Sequence, residues 1–188
     1  MKFGGLVRSL GTLAALVVVL PIMALLYKVP WSTLFSDLSD YTAIKLSLWT
    51  STLAALISLV IGVPLAWILA KSDGRLVNVI RPLVLAPIVL PPTVAGLALL
   101  SLMGRNGLLG QYLYELTDWS MPFTESAVVF AGIFVGMPFV VLICESNFRQ
   151  LPKEVEDAAI IDRADGNELF QKIAIPQSRS AIATGAIL

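Results

Sequence analysis

The chain has 188 residues, of which 57% are hydrophobic and 14% are charged, and its formal net charge is zero. Soluble domains are typically about 45–50% apolar and about 25% charged, so this composition indicates a membrane protein, and the balanced charge favours no nucleic-acid partner. With no His, one Cys and no G-x-x-x-x-G-K-[ST] nucleotide-binding motif, the sequence predicts no catalytic residue, no metal site, no intrachain disulfide and no cofactor.

Four apolar segments are long enough to cross a bilayer, which takes about 20 helical residues. They cover residues 9–27, 46–70, 82–103 and 126–144, and a further span starts at about 180–188. They predict an all-α membrane protein, a polytopic transmembrane helix bundle that forms one domain over residues 1–188. Because the last segment stops in mid-helix, we expect a sequence truncated at its C-terminus.

The first segment and the distribution of Lys and Arg predict the topology. Lys2 and Arg8 precede this segment as in a secretory signal peptide, but the apolar run is long and no small-x-small cleavage site follows it. We therefore expect a retained span. With the N-terminus inside, ten of the 13 Lys and Arg residues fall on the inner side, and cytoplasmic loops are enriched in these residues. The N-terminus and the loop 146–178 are thus predicted to be cytoplasmic.

Small residues follow one face of the second span and recur in the fourth. The second-span set comprises Ser47, Ser51, Ala55, Ser58, Gly62 and Ala66. Gly132 and Gly136 form a GxxxG motif in the fourth span. Such faces let helix backbones approach closely, so they predict packing within the chain, with a dimerisation face as the alternative.

Prolines interrupt the third predicted span. Each interior Pro removes a backbone donor and frees a carbonyl, and broken backbone inside a membrane is tolerated where protein or a water-filled cavity satisfies it. We therefore predict a substrate pathway or gate here, with a kinked scaffold helix as the alternative. The candidate pathway residues are Pro87, Pro91, Pro92, Thr93 and Gly96.

No Lys, Arg, Asp or Glu lies in the central part of any predicted span. A buried carboxylate would mark an ion-coupled pump, and a Ser/His or Asp pair would mark an intramembrane protease, so both classes are disfavoured. Energy and specificity are then expected to come from partner proteins.

A polar stretch, EVEDAAIIDRADGNELFQKIAIP at residues 154–176, separates the fourth span from the last apolar segment. Asn167 is the expected N-cap of a short helix within it. The apolar face of that helix consists of Leu169, Phe170 and Ile173. Lipid-surface helices usually carry a basic polar face and bulky apolar anchors, whereas this stretch begins with acidic residues and alanines. It therefore predicts a helix–turn–helix that docks a soluble protein, with a lipid-surface loop as the alternative.

The run E-D-A-A from residue 156, followed by I-A-I-P from residue 173, resembles the EAA loop of permease subunits of binding-protein-dependent ABC importers. The resemblance covers most of the chain and implies the type I permease fold of these importers. It also implies a coupling helix that seats in a cleft of the ATP-hydrolysing subunit. Arg163 stands where the family has Gly. The residues assigned to ATPase coupling are Glu156, Asp157, Ala158, Ala159, Arg163, Ala164, Asp165 and Gly166.

Two motifs within residues 83–110, LPPTVAG and GRNGLLG, are similar to those of molybdate/tungstate and sulfate/thiosulfate permeases, and GRNGLLG favours the first group. We expect GRNGLLG to form a tight turn facing the binding protein. The resemblance implies a transport subunit without enzymatic activity of its own, which couples ATP hydrolysis by a partner to alternating access for molybdate or tungstate.

The resemblance also implies the location and the partners. The location is the cell inner membrane, and the partners are two ATP-binding subunits, a periplasmic or extracellular solute-binding protein, a second permease copy in a homodimer, and membrane lipid. A sulfate/thiosulfate permease is the alternative substrate assignment. A non-transporting membrane scaffold that docks a soluble partner is the alternative from another class.

Overall fold

The computed structural model describes residues 5–29, 41–152, 154 and 165–187. Within these ranges every regular element is helical, which confirms the predicted all-α class. The chain forms two compact units, Met1–Ile44 and Lys45–Leu188. The sequence predicted one domain over its whole length.

The first unit contains helix α1, Gly5–Lys28, in which the predicted span 9–27 lies. The side chains of residues 12–28 are exposed on every face of this helix. A helix that is apolar on all sides is suited to a lipid environment rather than to water.

Helices α2 (Tyr41–Lys71) and α6 (Glu125–Arg149) are long and apolar enough to cross a membrane. They contain the predicted spans 46–70 and 126–144. The Thr124 side chain accepts a hydrogen bond from the backbone N–H three residues later, which caps the start of α6.

α2 and α6 run side by side in the same direction. A Cβ placed on Gly132 of α6 would lie 2.8 Å from the Ala54 Cβ of α2. Two turns further along both helices, a Cβ on Gly62 would lie 3.2 Å from a methyl of Val140. Each advance along α2 is matched by an equal advance along α6, so the two helices are parallel. Gly62 of the predicted small face of α2 and Gly132 of the GxxxG motif lie at the close contacts. Ser47 and Ser51 of that predicted face are exposed, whereas Ala54, which lies outside it, is buried.

The third predicted span, 82–103, lies in two helices. α3 (Arg75–Val89) and α4 (Pro92–Met103) meet at a bend of 119°. Pro92 is the first residue of α4, where its missing N–H is harmless, and it forces the preceding Pro91 into extended backbone with ψ 142°. By length and composition the described residues therefore hold two candidate spans, or three if the bent pair is one span.

The bent pair of α3 and α4 contacts α6 near both of its ends. Arg81 of α3 lies beside Glu145, near the C-terminal end of α6. Met103, the last residue of α4, lines a pocket with Ala127 and Phe130, near the N-terminal end of α6. The broken segment therefore extends along the length of α6.

Shorter helices follow in the chain. α5 covers Gly110–Thr117. Later, α7 (Gly166–Glu168), a π-helical segment (Leu169–Ala174) and α8 (Ile175–Gln177) follow one another without a break, and we call them the connecting helix. It leads into α9 (Arg179–Ile187), which packs against α6.

The core of the second unit lies where α2, α3, α6 and the connecting helix meet. Its buried members are Val63, Ala66, Leu69, Val77, Val140, Val141, Cys144, Phe148 and Ala174. We call this end of the bundle the basic end, because the nearby cations are Lys71, Arg75, Arg81 and Arg149.

Candidate functional site

A buried carboxylate joins three helices at the basic end. The Glu145 side chain of α6 is 8% exposed, and its Oε1 lies 2.9 Å from the Arg81 Nε of α3 and 3.0 Å from the Arg149 Nε. Both guanidinium groups also donate from Nη2 to the Leu69 carbonyl oxygen of α2, each at 2.9 Å. We call these three side chains and this carbonyl the ion cluster, and it ties α2, α3 and α6 together at one point.

The ion cluster combines two guanidinium groups with one carboxylate, and the carbonyl end of α2 favours the excess positive charge. Leu69 lies in the last turn of α2, where carbonyls lack intrahelical partners and the helix dipole is negative, so two guanidinium groups are favourable there. The Arg81 Nε–H has no aligned hydrogen-bond partner within the described residues, so its short distance to Glu145 reflects ion pairing rather than a directed hydrogen bond. A buried carboxylate is costly unless it is paired in this way.

Three aromatic rings pack beside the ion cluster. The centroids of Trp67 (α2) and Phe148 (α6) are 5.3 Å apart with an interplanar angle of 87°. Phe170 of the connecting helix lies 5.7 Å from Trp67 and 6.3 Å from Phe148. These separations fall in the favourable range for aromatic pairs. The Lys71 Nζ lies 5.4 Å from the centroid of the Trp67 ring. The ring cluster, Trp67, Phe148 and Phe170, thus fixes the connecting helix to two membrane helices.

Asp165 is the N-cap of the connecting helix, and its Oδ1 accepts a hydrogen bond from the Glu168 N–H at 2.7 Å. The prediction of Asn167 as the N-cap was wrong, because Asp and Asn both suit this position and the course of the backbone decides between them. The predicted apolar face is half-buried, and Ala174 is fully buried. The π-helical geometry of this segment is uncommon and is often found at functional sites.

An exposed ion pair lies on the outer face of the connecting helix. The Lys172 Nζ is 2.7 Å from the Glu168 Oε1. This hydrogen bond and the charge of Lys172 lower the pKa of Glu168, and the same contact raises the pKa of Lys172. The pair therefore stabilises the fold at neutral pH, and this stabilisation is lost as the pH falls through the lowered pKa of Glu168 or rises through the raised pKa of Lys172. Because the pair is exposed, its contribution is small.

Most of the predicted coupling residues lie outside the described residues. These are Glu156, Asp157, Ala158, Ala159, Arg163 and Ala164. Asp165 and Gly166 are described, and both are exposed at the start of the connecting helix. The predicted coupling stretch therefore leads directly into the segment that the ring cluster holds.

The predicted pathway residues lie around the bend between α3 and α4. Pro87 is half-buried, whereas Pro91, Pro92 and Thr93 are exposed. A Cβ on Gly96 would meet no atom within 4 Å. The structure brings this set together at one break in the backbone, and its role in a pathway stays a prediction.

A cleft of about 220 Å³ lies between α2, α6 and α9. Its walls include Ser58 of α2, Gly136 of α6 and Gly185 of α9. The Ser58 Oγ is buried and has no hydrogen-bond partner within the described part of the chain. The segment 180–188, predicted to start a further span, thus lies largely in a helix beside the small-residue faces of α2 and α6.

The motif GRNGLLG forms a compact turn between α4 and α5, as predicted. The Gly107 N–H donates to the Gly104 carbonyl at 2.8 Å. A Cβ on Gly107 would lie 2.8 Å from the Ser101 and Leu102 carbonyl oxygens, and one on Gly110 would collide with the Gly104 carbonyl oxygen. The glycines are needed because backbone packs on backbone in this turn.

The ion cluster and the ring cluster were missed by reasoning from the sequence. Glu145 lies between the predicted span 126–144 and the predicted loop 146–178, and the sequence analysis assigned it no role. The spacing of Glu145 and Arg149 is a signal for a helical ion pair. No pattern in the sequence joins them to Arg81 or Leu69, which lie more than 60 residues away along the chain.

Comparison with known proteins finds one matching family and several similar chains. The family model described as "Binding-protein-dependent transport system inner membrane component" matches residues 62–188. The molybdenum transport system permease protein ModB of Mycobacterium tuberculosis is 36% identical over 174 residues, covering 91% of this chain and 66% of that protein. ModB of Azotobacter vinelandii is 37% identical over 149 residues, covering 79% of this chain and 66% of that protein.

A sulfate permease is also similar. The sulfate transport system permease protein CysT of Salmonella typhimurium is 31% identical over 195 residues, covering 98% of this chain and 69% of that protein. The chain spans about two thirds of the length of these curated relatives.

Proposed function

This chain belongs to the family of inner-membrane components of binding-protein-dependent transport systems, and from that premise we propose that it is the permease subunit of an ATP-driven importer for a tetrahedral oxyanion. Membership of this family makes it a multi-pass protein of the inner membrane and a transport permease subunit. The energy source, the substrate and the assembly are the proposed parts.

One observation carries the coupling part of the proposal. The connecting helix follows the predicted coupling stretch directly and is fixed by Phe170 to Trp67 of α2 and Phe148 of α6. A soluble subunit that moved the coupling stretch would therefore move the ends of two membrane helices. A loop lying on lipid would have no need of such an attachment.

The proposed assembly follows from this attachment and from the family. Two ATP-binding subunits dock on the coupling stretches of two copies of this chain, and a solute-binding protein docks on the opposite side. The basic end and the N-terminus face the cytoplasm, because Lys and Arg concentrate at the cytoplasmic ends of membrane helices. The GRNGLLG turn then lies on the side of the binding protein.

The proposed substrate is molybdate, with tungstate as its close chemical analogue. The proposal rests on the relatives from Mycobacterium tuberculosis and Azotobacter vinelandii, whose names state molybdenum transport. The relative from Salmonella typhimurium, whose name states sulfate transport, supports sulfate as the second candidate. All of these anions are tetrahedral and carry the same charge, so one pathway is chemically suited to each of them.

Alternating access is the proposed mechanism, and the bend between α3 and α4 is the proposed gate. The gate residues are Pro87, Pro91, Pro92, Thr93 and Gly96. Broken helices at membrane depth recur at the substrate path of transporters, because the freed backbone groups face a cavity. ATP-driven approach of the ATP-binding subunits would bias the bundle between an inward-open and an outward-open arrangement.

The test uses the permease reconstituted with its ATP-binding subunits and its solute-binding protein. We expect molybdate-loaded or tungstate-loaded binding protein to stimulate ATP hydrolysis, and unloaded binding protein serves as the control. Stimulation by sulfate alone would replace the substrate assignment and keep the mechanism. No stimulation by any of the three anions, with the complex assembled, would reject the importer and favour a scaffold that docks a soluble partner.

A further inference from the structure

We infer that the ring cluster and the ion cluster act as one mechanical joint, which carries a displacement of the connecting helix to the basic ends of α2, α3 and α6. The inference deepens the proposed function and rests on it, because the connecting helix follows the predicted coupling stretch. It assigns a positioning role to Phe170, Glu145 and Arg149.

The first part of the joint is the seat of the connecting helix. Ala174 and Ser178 have no exposed surface, and Phe170 lies against two rings of the membrane helices. Protein interiors are close-packed and transmit strain instead of absorbing it. A displacement of this segment therefore displaces Trp67 and Phe148 as well.

The second part is the step from the rings to the charges. Phe148 immediately precedes Arg149 on α6, and Trp67 lies two residues before Leu69 on α2. The Arg149 guanidinium bonds to the Leu69 carbonyl at 2.9 Å. The two helix ends that hold the rings are thus the two ends that the ion cluster joins.

The third part leads from the charges to the proposed gate. Arg81 bonds to the same Leu69 carbonyl at 2.9 Å and lies 2.9 Å from Glu145. Arg81 is on α3, which runs without interruption to the bend before Pro92. The chain of contacts therefore extends from the connecting helix to the helix that carries the gate.

The ion cluster is better suited to transmitting a displacement between helices than to supporting the fold alone. Well-packed apolar residues support a fold as well as a buried ion pair does, and often better, because charges are costly to desolvate. Directed bonds from two guanidinium groups to one carbonyl fix the relative position of the helix ends more closely than non-directional apolar contacts do. The ring and ion clusters should therefore be coupled to each other energetically.

The first experiment measures that coupling in the purified permease alone. Phe170→Leu and Glu145→Gln are made singly and together, and the thermal unfolding midpoints are compared. We expect the shift of the double variant to differ from the sum of the single shifts by at least about 2 °C. Phe130→Leu with Glu115→Gln is the matched control, since Phe130 is half-buried at the other end of α6 and Glu115 is exposed on α5. Additive shifts in the test pair overturn the joint.

Arg149→Lys provides a second partner for Phe170→Leu if Glu145→Gln does not fold. This variant keeps the positive charge but has a single ammonium group, which cannot reach Glu145 and the Leu69 carbonyl as the guanidinium fork does. The same non-additive shift is expected. Additive shifts again overturn the joint.

The second experiment measures anion uptake per ATP hydrolysed by the assembled complex in vesicles. We expect Phe170→Leu and Arg149→Lys to lower this ratio about 2- to 30-fold while hydrolysis continues, and Phe170→Tyr, which keeps a ring, to restore it. A merely structural role would reduce the amount of assembled complex at an unchanged ratio, and that result overturns the joint. If the unmodified complex shows no substrate-dependent hydrolysis, the proposed function fails, and the thermal cycle in the isolated permease still decides the joint.

Discussion

Gly132 and Gly136 belong to one GxxxG motif but meet different neighbours. A Cβ on Gly132 would lie 2.8 Å from the Ala54 Cβ, closer than two such atoms can approach, whereas one on Gly136 would lie 3.9 Å from the Ser58 Oγ, an ordinary contact. Only Gly132 is therefore required by the packing of α2 on α6. Gly136 weakens its own helix by about 1 kcal/mol relative to Ala without a steric reason in the described structure.

We predict opposite effects for the two alanine substitutions. Gly132→Ala should destabilise the permease by about 1–3 kcal/mol because it overpacks the interface. Gly136→Ala should leave the stability unchanged or raise it by up to about 1 kcal/mol through helix propensity. The measurement is thermal unfolding of the purified permease in detergent.

Ala54→Gly in the Gly132→Ala background supplies the control for this prediction. It removes the atom that the new methyl group would meet, so it should recover part of the lost stability. Equal effects of the two single substitutions would contradict the close approach of α2 and α6.

At the scale of elements, the break between α3 and α4 decides the shape of the third predicted span. Its cause is local, since Pro92 opens α4 and excludes helical backbone for Pro91. Pro87 lies inside α3 and does not end it. The bend of 119° is therefore caused by the pair Pro91 and Pro92.

We predict that replacing Pro91 and Pro92 with Ala straightens the segment. Spin labels on Leu76→Cys and Leu100→Cys, both exposed positions, test this in a Cys144→Ala background. The rise of an α-helix places the two Cα atoms about 36 Å apart in a straight helix and about 19 Å apart across the 119° bend. We expect the shorter distance in the native sequence and a shift toward the longer one in the double Ala variant.

Pro82→Ala is the matched control for this distance. Pro82 also lies inside α3, so its replacement should leave the bend and the distance unchanged. An unchanged distance in the Pro91→Ala, Pro92→Ala variant would mean that tertiary contacts, not the prolines, hold the bend.

At the scale of the whole molecule, the two ends of the helix bundle should face different compartments. We predict that Leu108→Cys, in the GRNGLLG turn, reacts with a membrane-impermeant maleimide in intact cells. Gln150→Cys, just beyond the basic end, should react only after permeabilisation. Both positions are exposed, and the native Cys144 is fully buried and should stay unlabelled. The reverse labelling pattern would contradict the proposed topology and indicate the opposite orientation in the membrane.

The sequence predicted what depends on composition and short-range periodicity. The all-α class, the importer-permease family and the compact glycine turn are confirmed. Of the predicted small faces, Gly62 and Gly132 lie at close contacts between α2 and α6, whereas Ser47 and Ser51 are exposed. The ion cluster could not be predicted, because it joins Leu69, Arg81 and Glu145 across long stretches of chain. The angle of the bend could not be predicted either, since prolines indicate a break in a helix but do not set the direction of the following helix.

The shared carbonyl of Leu69 also sets an order of assembly during synthesis. The bond from Arg81 closes a loop of 12 residues, whereas the bond from Arg149 closes one of 80. Loop-closure entropy favours the shorter link, and its two partners leave the ribosome well before the second arginine is made. The hydrogen bond between α2 and α3 can therefore form before α6 is synthesised. α6 then adds Glu145 and a second hydrogen bond, from Arg149, to the Leu69 carbonyl that Arg81 already occupies.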